Sequence, residues 1–354
     1  MKTLGIPMRK MIALPALAAG IGIMALAATA PAAAQATDKF SIGVPGVPPV
    51  FVSAMVYTAK DAGFYKKYGL DVTVKPFDSG VAAAKAVLSG SVDASISPTA
   101  PVARMISNGD VPLILIQGYE KPDWVFGSMD PAKGKCEDVK GQAVGVDSPQ
   151  GARWIAAQNM TRACGLSPDK DYPTVNLSSN VGAAMVAGQL TFGVLHLDDV
   201  PVIERESGKK MTVVLEYEKT SPGTHYTALT VNSKKLAANR DKLVRVVAAH
   251  IEAIKFMNDP ANFGKVGGYA KPTGRSLQDA TNAVKMFVEF DYWPNGISGL
   301  DQKRIEKTVK IQEMVGKKTK GKGGIQPGKK PVSYDRITDL SIWNDAMALV
   351  KKSK

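Results

Sequence analysis

Cysteine and histidine are scarce: two cysteines, Cys136 and Cys164, and three histidines, His196, His225 and His250, in 354 residues. Two thiols cannot build a disulfide framework or a four-thiolate zinc site, and the histidines give no metal-ligand spacing. No metal or cofactor is expected. Also absent are a Gly-x-Ser-x-Gly elbow, a phosphate loop ending in Gly-Lys-Ser/Thr, and a histidine placed to activate a serine, so the sequence offers no catalytic residue. Acids are outnumbered, 32 Asp+Glu against 45 Lys+Arg, for a net charge of +13. What is present is ordinary: 45% hydrophobic and 22% charged residues exclude a disordered or coiled-coil chain, and 33 Gly with 22 Pro exclude collagen. The length favours two bodies, because a single core stops growing at about 250–300 residues.

Lys2, Arg9 and Lys10 precede an apolar stretch from Met11 to Ala30, and Ala34-Gln35-Ala36 supplies small residues for cleavage. This pattern reads as a secretory signal peptide over residues 1–36, cleaved near Ala36, with a periplasmic destination. In an oxidising compartment Cys136 and Cys164 are either joined or two buried free thiols; the sequence leaves both open.

From Phe40 onward, β-rich runs alternate with helical patterns, the signature of α/β layering with largely parallel strands. Strands are expected at 40–44, 69–74, 93–97, 143–146, 174–177 and 192–195, and helices at 51–65, 81–88, 152–164 and 181–187. Gly90 and Gly188 sit at matching helix ends in two similar units. The remainder is helical over 242–257, 276–290, 301–315 and 334–351, and the Lys/Gly-rich stretch Lys317 to Lys330 reads as a solvated loop. A nucleic-acid partner is not expected, since that stretch has few interleaved aromatics.

The segment Ala59-Lys60-Asp61-Ala62-Gly63-Phe64-Tyr65, followed by Gly69-Leu70-Asp71-Val72, resembles the signature of NMT1/THI5-like periplasmic substrate-binding proteins, which serve ABC importers for nitrate, sulfonates, taurine and thiamine precursors. The likeness extends to Ser79-Gly80, to Leu88-x-Gly90-x-Val92-Asp93-Ala94, and to Val144-Gly145-Val146 before a Ser-x-x-Gly helix start. The sequence departs from the family at Thr191, where a Gly-x-x-Asp-Ala run is expected. The resemblance implies a two-lobed α/β periplasmic binding protein fold, type II-like, with ligand in the interlobe cleft. Residues 37–122 would form the first part of lobe 1, 123–217 lobe 2, and 218–354 the completion of lobe 1 with a helical C-terminal region.

Ligand contacts are expected where strands end and loops begin. The candidates are Val47, Pro48 and Phe51 in a Pro/Gly loop, Ser79 and Gly80, then Ser97, Pro98 and Thr99, and in the second lobe Ser148, Gln150 and Gly151. The last two groups precede helices, whose N-termini carry free N–H groups and positive partial charge; one from each lobe would grip a carboxylate or sulfonate. Equally, Ser97, Thr99 and Ser148 are candidate N-caps. Trp124, Trp154, Phe51 and Tyr226 could supply flat walls, and His196 with Asp198 follows a strand where the family places ligand-facing residues.

The expected function is therefore capture of a small organic, anionic solute, with an aromatic portion allowed, by a monomer that delivers it to an ABC permease without chemistry. The alternatives are a periplasmic enzyme on the same fold, of thiamine-pyrimidine or menaquinone-pathway type, and a sensor that presents its ligand to a membrane receptor.

Overall fold

Phe40, Ile42 and Val44 alternate inward along the first strand, and all three are buried. This fixes which face of β1 (Asp38–Pro45) meets the core, and builds the first half of a computed structural model that describes residues 37–119 and 121–353. The signal-peptide expectation lies outside the described residues.

A 3-10 turn and α1 (Ala54–Asp61) follow; Gly63 (φ 83°) then breaks the expected single helix before α2 (Phe64–Lys67). Next come β2 (Leu70–Phe77), α3 (Gly80–Ser89), β3 (Ala94–Pro98), α4 (Thr99–Gly109) and β4 (Leu113–Tyr119). The chain then crosses to a second sheet with β5 (Trp124–Ser128), β6 (Val144–Val146), α5 (Ala152–Thr161), β7 (Thr174–Asn176), α6 (Val181–Val186), β8 (Phe192–His196), α7 (Asp199–Ser207) and β9 (Thr212–Glu216). After α8 (Tyr217–Thr220) it returns as β10 (Thr227–Asn232). The helices α9 (Leu236–Met257), α10 (Phe263–Tyr269), α11 (Leu277–Glu289), α12 (Gln302–Lys318), α13 (Tyr334–Ile337) and α14 (Leu340–Lys352) complete it.

Each lobe is a five-stranded sheet, in the orders β2-β1-β3-β10-β4 and β7-β6-β8-β5-β9. The expected parallel pairing holds for β1 with β2 and β3, and for β6 with β7 and β8. It fails for β10 and β5, which pair antiparallel with both neighbours. Each is the strand that follows a crossing between lobes, so it enters its sheet at the cleft end and runs opposite to strands that finish there.

Gly90 (φ 78°) and Gly188 (φ 72°) both adopt the left-handed conformation expected at the ends of α3 and α6. Cys136 and Cys164 form a disulfide, with Cα atoms 6.2 Å apart.

One expectation holds only in part. The Lys317–Lys330 stretch is not simply a solvated loop: Gly324 and Ile325 are buried, and Ile325 N donates to Gln312 O at 2.8 Å. Gly323 lies against Trp154 of the other lobe so closely that a Cβ there would stand 2.5 Å from the indole ring. Backbone without side chains makes this contact, so hydrophobic periodicity gives no sign of it. Among the described residues no helix is long and apolar enough to cross a membrane.

Candidate functional site in the interlobe cleft

Between the two sheets the loops after β1, β2 and β3 meet the loop after β6 and the first turn of α5. Together with the crossing residues Trp124 and Tyr226 they enclose a cavity of about 20 Å³, room for roughly one water. Val50 and Arg153 line this cavity and also a larger pocket of about 470 Å³ at the cleft mouth.

Of the predicted residues, the structure brings Ser79, Gly80, Pro98, Trp124, His196 and Tyr226 to the inner cavity. Pro48 and Phe51 reach the outer pocket. Phe51 is otherwise a core ring, stacked on Phe287 at 5.8 Å. Val47 is 47% exposed at the rim, its carbonyl accepting from Asn180 Nδ2 at 3.5 Å.

The others line neither space. Ser97 turns into lobe 1 to bond Ser95 Oγ at 2.7 Å, and Thr99 Oγ1 lies 2.7 Å from His225 Nδ1. Gln150 takes part through its carbonyl, which accepts from Arg104 Nη2 at 2.9 Å. Trp154 is core, its Nε1 donating to Asp169 Oδ2 at 3.2 Å.

The paired helix termini are corrected by the same geometry. Gly151, not Ser148, is the N-cap of α5, and the first N–H groups of that helix are already taken: Asp147 Oδ2 accepts from Ala152 N at 3.0 Å and Oδ1 from Arg153 N at 3.1 Å. A side-chain carboxylate thus stands where the solute anion was expected. In lobe 1 Thr99 N donates to Tyr226 O at 2.8 Å. Neither Thr99 nor Ser148 caps its helix; Ser79 does, accepting from Ala82 N at 3.2 Å at the start of α3.

The residue that the sequence reading misses is Arg153. It is 3% exposed, donating from Nε to Val194 O at 3.1 Å and from Nη1 to Ser178 O at 2.9 Å. Its guanidinium lies 5.4 Å from the Trp124 ring centroid, and Nη2 makes no hydrogen bond, standing 3.6 Å from Asp199 Oδ2. A cation in the first turn of a helix opposes the helix dipole. That conflict is the signal by which the sequence could have flagged it.

Trp124 also carries the His196 ring at 3.9 Å, and His196 Nδ1 meets the buried Asp123 Oδ2 at 2.8 Å. The cavity therefore has a flat aromatic wall on one side and a guanidinium over it.

Lobe 1 contributes a second arginine to the cleft. Arg275 pairs with Asp198 and, at 2.7 Å, with Asp199 Oδ1, both in lobe 2. Burial pushes the Asp198 carboxyl up to about 6, against the pull of Arg275. For Asp199 burial acts in the same sense, but Arg275 and Arg153 outweigh it and hold that carboxyl below the usual range. Further bridges run from Arg205 to Asp279 at 2.8 Å and from Ser178 Oγ to Asp78 O at 2.8 Å. The lobes are thus joined directly.

The hydroxyl–imidazole pairs of the molecule, Thr99 with His225 and Tyr65 with His250, lie inside lobe 1 rather than on the cavity. Burial drives His225 down to about 4 and His250 to about 3, and Gly299 O fixes His225 Nε2 at 2.6 Å. Among the described residues no group of His, Cys, Asp and Glu is arranged to hold a metal ion.

Solved structures share this architecture at low identity. The periplasmic nitrate-binding protein NrtA of Synechocystis PCC 6803 matches with a TM-score of 0.67 and 15% identity, over 89% of each chain. The alkanesulfonate-binding protein SsuA of Xanthomonas axonopodis pv. citri, bound to MOPS, gives 0.67 and 15%, covering 85% of this chain and 98% of that one. The aliphatic sulphonate-binding protein SsuA of Escherichia coli gives 0.62 and 16%, over 84% and 91%. These likenesses establish the periplasmic binding protein fold. A comparison with curated protein sequences finds no match. The NMT1/THI5-like family model matches residues 50–262, more than half of the sequence, and the chain belongs to that family.

Proposed function

We propose that the protein is an extracytoplasmic solute-binding protein that captures a small organic anion between its lobes and delivers it, as a monomer, to an ABC permease, the chain being exported and cut near Ala36. The observation that carries this reading is Arg153: a buried guanidinium whose Nη2 makes no hydrogen bond and only a 3.6 Å ion pair with Asp199, set over the Trp124 ring where the inner cavity meets the outer pocket. An acidic group on the solute would take Nη2, and a planar or alkyl portion would lie on Trp124. Ser79 and the His196 edge complete the polar contacts. Family membership and the fold shared with nitrate- and sulfonate-binding proteins support the transport role. With the lobes joined and about 20 Å³ enclosed, entry requires hinge opening, and the solute then competes for Arg153 with Asp199.

The test is a thermal-shift screen of the mature chain against small sulfonates, nitrate, aromatic carboxylates and pyrimidines. A ligand at 100 times Kd should stabilise by about 2.7 kcal/mol. A hit that Arg153→Lys weakens at least tenfold, without turnover of the compound, supports the reading. Product formation would replace it with an enzyme.

A further inference from the structure

Four side chains form a row of alternating charge across the cleft. Arg153 Nη2 of lobe 2 stands 3.6 Å from Asp199 Oδ2, Asp199 Oδ1 stands 2.7 Å from Arg275 Nη2 of lobe 1, and that same Nη2 meets Asp198. Two cations thus balance two anions. The two acids are held unequally. Asp199 faces both guanidiniums and also accepts from His196 N at 2.9 Å. Asp198 is 1% exposed, and among the described residues neither of its oxygens has a hydrogen-bond partner beyond the Arg275 contact. The other ionisable groups that face Asp198 are Asp199 and His196 on its own segment, Asp123 just before β5, and Tyr292 after α11. His196 Nδ1 is taken by Asp123 Oδ2 at 2.8 Å, while Asp123 Oδ1 is without a hydrogen-bond partner.

We propose, on the reading of the cleft as an anion site, that the solute is captured together with one proton, which Asp198 takes up from solvent. An acid group that binds Nη2 of Arg153 displaces Asp199, which then depends on Arg275 as its cation, and the one Nη2 that both aspartates share no longer suffices for Asp198. With the solute in place the row carries one negative charge too many where little water reaches, and an unpaired buried charge is costly. A proton that moves from the buffer to the Asp198 carboxylate restores the balance and leaves every bond of the solute intact. Asp199 is the poorer acceptor, because it keeps the His196 amide and a guanidinium as donors. Burial has already pushed the Asp198 carboxyl up to about 6, so little further change brings the proton within reach near neutral pH. By linkage, the anion strengthens proton binding as much as the proton strengthens anion binding, so capture tightens as pH falls.

The probe is benzenesulfonate, whose acid group stays ionised throughout the range used, measured by isothermal titration calorimetry on the mature chain. Affinity should rise at least fivefold from about pH 8 to about pH 5.5, and the heat at about pH 7 should vary with the ionisation enthalpy of the buffer in the sense of proton uptake. In Asp198→Asn, whose side chain is neutral at every pH, both effects should vanish, and affinity at about pH 8 should reach that of the wild type at about pH 5.5. Loss of a merely structural acid would not tighten binding. The buffer measurement on the wild type decides the matter even where the variant does not fold. Equal affinity at the two pH values without proton uptake would overturn the proposal and leave the anion reading standing. Persistence of the pH dependence in Asp198→Asn would assign the proton to His196 and overturn it as well, and no saturable binding at either pH would remove both readings.

Discussion

Arg275 Nη2, carried by lobe 1 just before α11, stands 2.7 Å from Asp199 Oδ1 at the start of α7 in lobe 2. The same guanidinium pairs with the fully buried Asp198 and lies 5.8 Å from the Phe51 ring centroid. Two carboxylates of one lobe are therefore neutralised by a cation that belongs to the other.

Removing that cation should open the molecule. In Arg275→Met the closed form would bury Asp198 without its ion-pair partner and leave Asp199 only Arg153 at 3.6 Å, a loss of about 3 kcal/mol for a broken buried pair, which separation of the lobes relieves by hydrating them. A larger radius of gyration in solution scattering is expected, with partial recovery in Arg275→Met/Asp198→Asn. Identical scattering for the wild type and the single variant would refute the latch.

Acid should destabilise the fold through two histidines. Burial holds His225 near 4 and His250 near 3, so both stay neutral in the folded chain while the unfolded chain protonates them near 6.5. The unfolded state then binds more protons, and stability falls as pH drops from about 6.5 toward 4. Asp198, raised to about 6, works in the opposite sense over about 6 to 4 and offsets only part of this. A net loss on the order of 3 kcal/mol between pH 7 and 4.5 should appear in denaturant titrations. A flat profile would mean that these imidazoles are hydrated in solution.

The Cys136–Cys164 bridge closes a loop with a sequence separation of 28. Cys136→Ser/Cys164→Ser should lose about 3 kcal/mol, chiefly by freeing the unfolded chain. Thermal melts with and without a reductant would show it; a shift of less than a degree would contradict the estimate.

Gly323→Val should weaken the contact of the lobe 1 loop with Trp154, because any Cβ there falls within 2.5 Å of the indole and the position has φ +73°. A loss of about 1–3 kcal/mol is expected. Gly264→Ala is the control, since a Cβ there meets nothing within 4 Å. Equal melting points for the two variants would place Trp154 elsewhere in solution.

Much of the scaffold was legible. Phe40, Ile42 and Val44 recur at every second position and are all buried, and Gly90 and Gly188 mark real left-handed stops. By contrast β4 and β5 escape the pattern: all five residues of β5 are buried, so no polar alternation marks it, and unlike the equally buried β3 and β8 it follows no helical pattern that would announce a strand. α4 escapes too, as Thr99 enters it directly from β3 without a side-chain cap.

The candidate site was half legible. Ser79, Gly80, Pro98 and His196 follow strands that can be read from a strand pattern, whereas Trp124 and Tyr226, at the unread β5 and β10, were named for their flat rings alone. Thr99 and Ser148 were misjudged because a hydroxyl before a helix does not reveal its partner; here His225 claims one, and Asp147 caps the helix in place of the other.

Order along the chain, the α/β layering and the places where helices stop follow from local chemistry, since backbone conformation and burial periodicity act over a few residues. The pairing of Arg275 with Asp198 and Asp199, the seat of Arg153 above Trp124, the lone Oδ1 of Asp123 and the burial of Gly323 needed the folded chain. Each joins segments distant in sequence, and the energy of a charge or a close contact depends on what stands beside it in space.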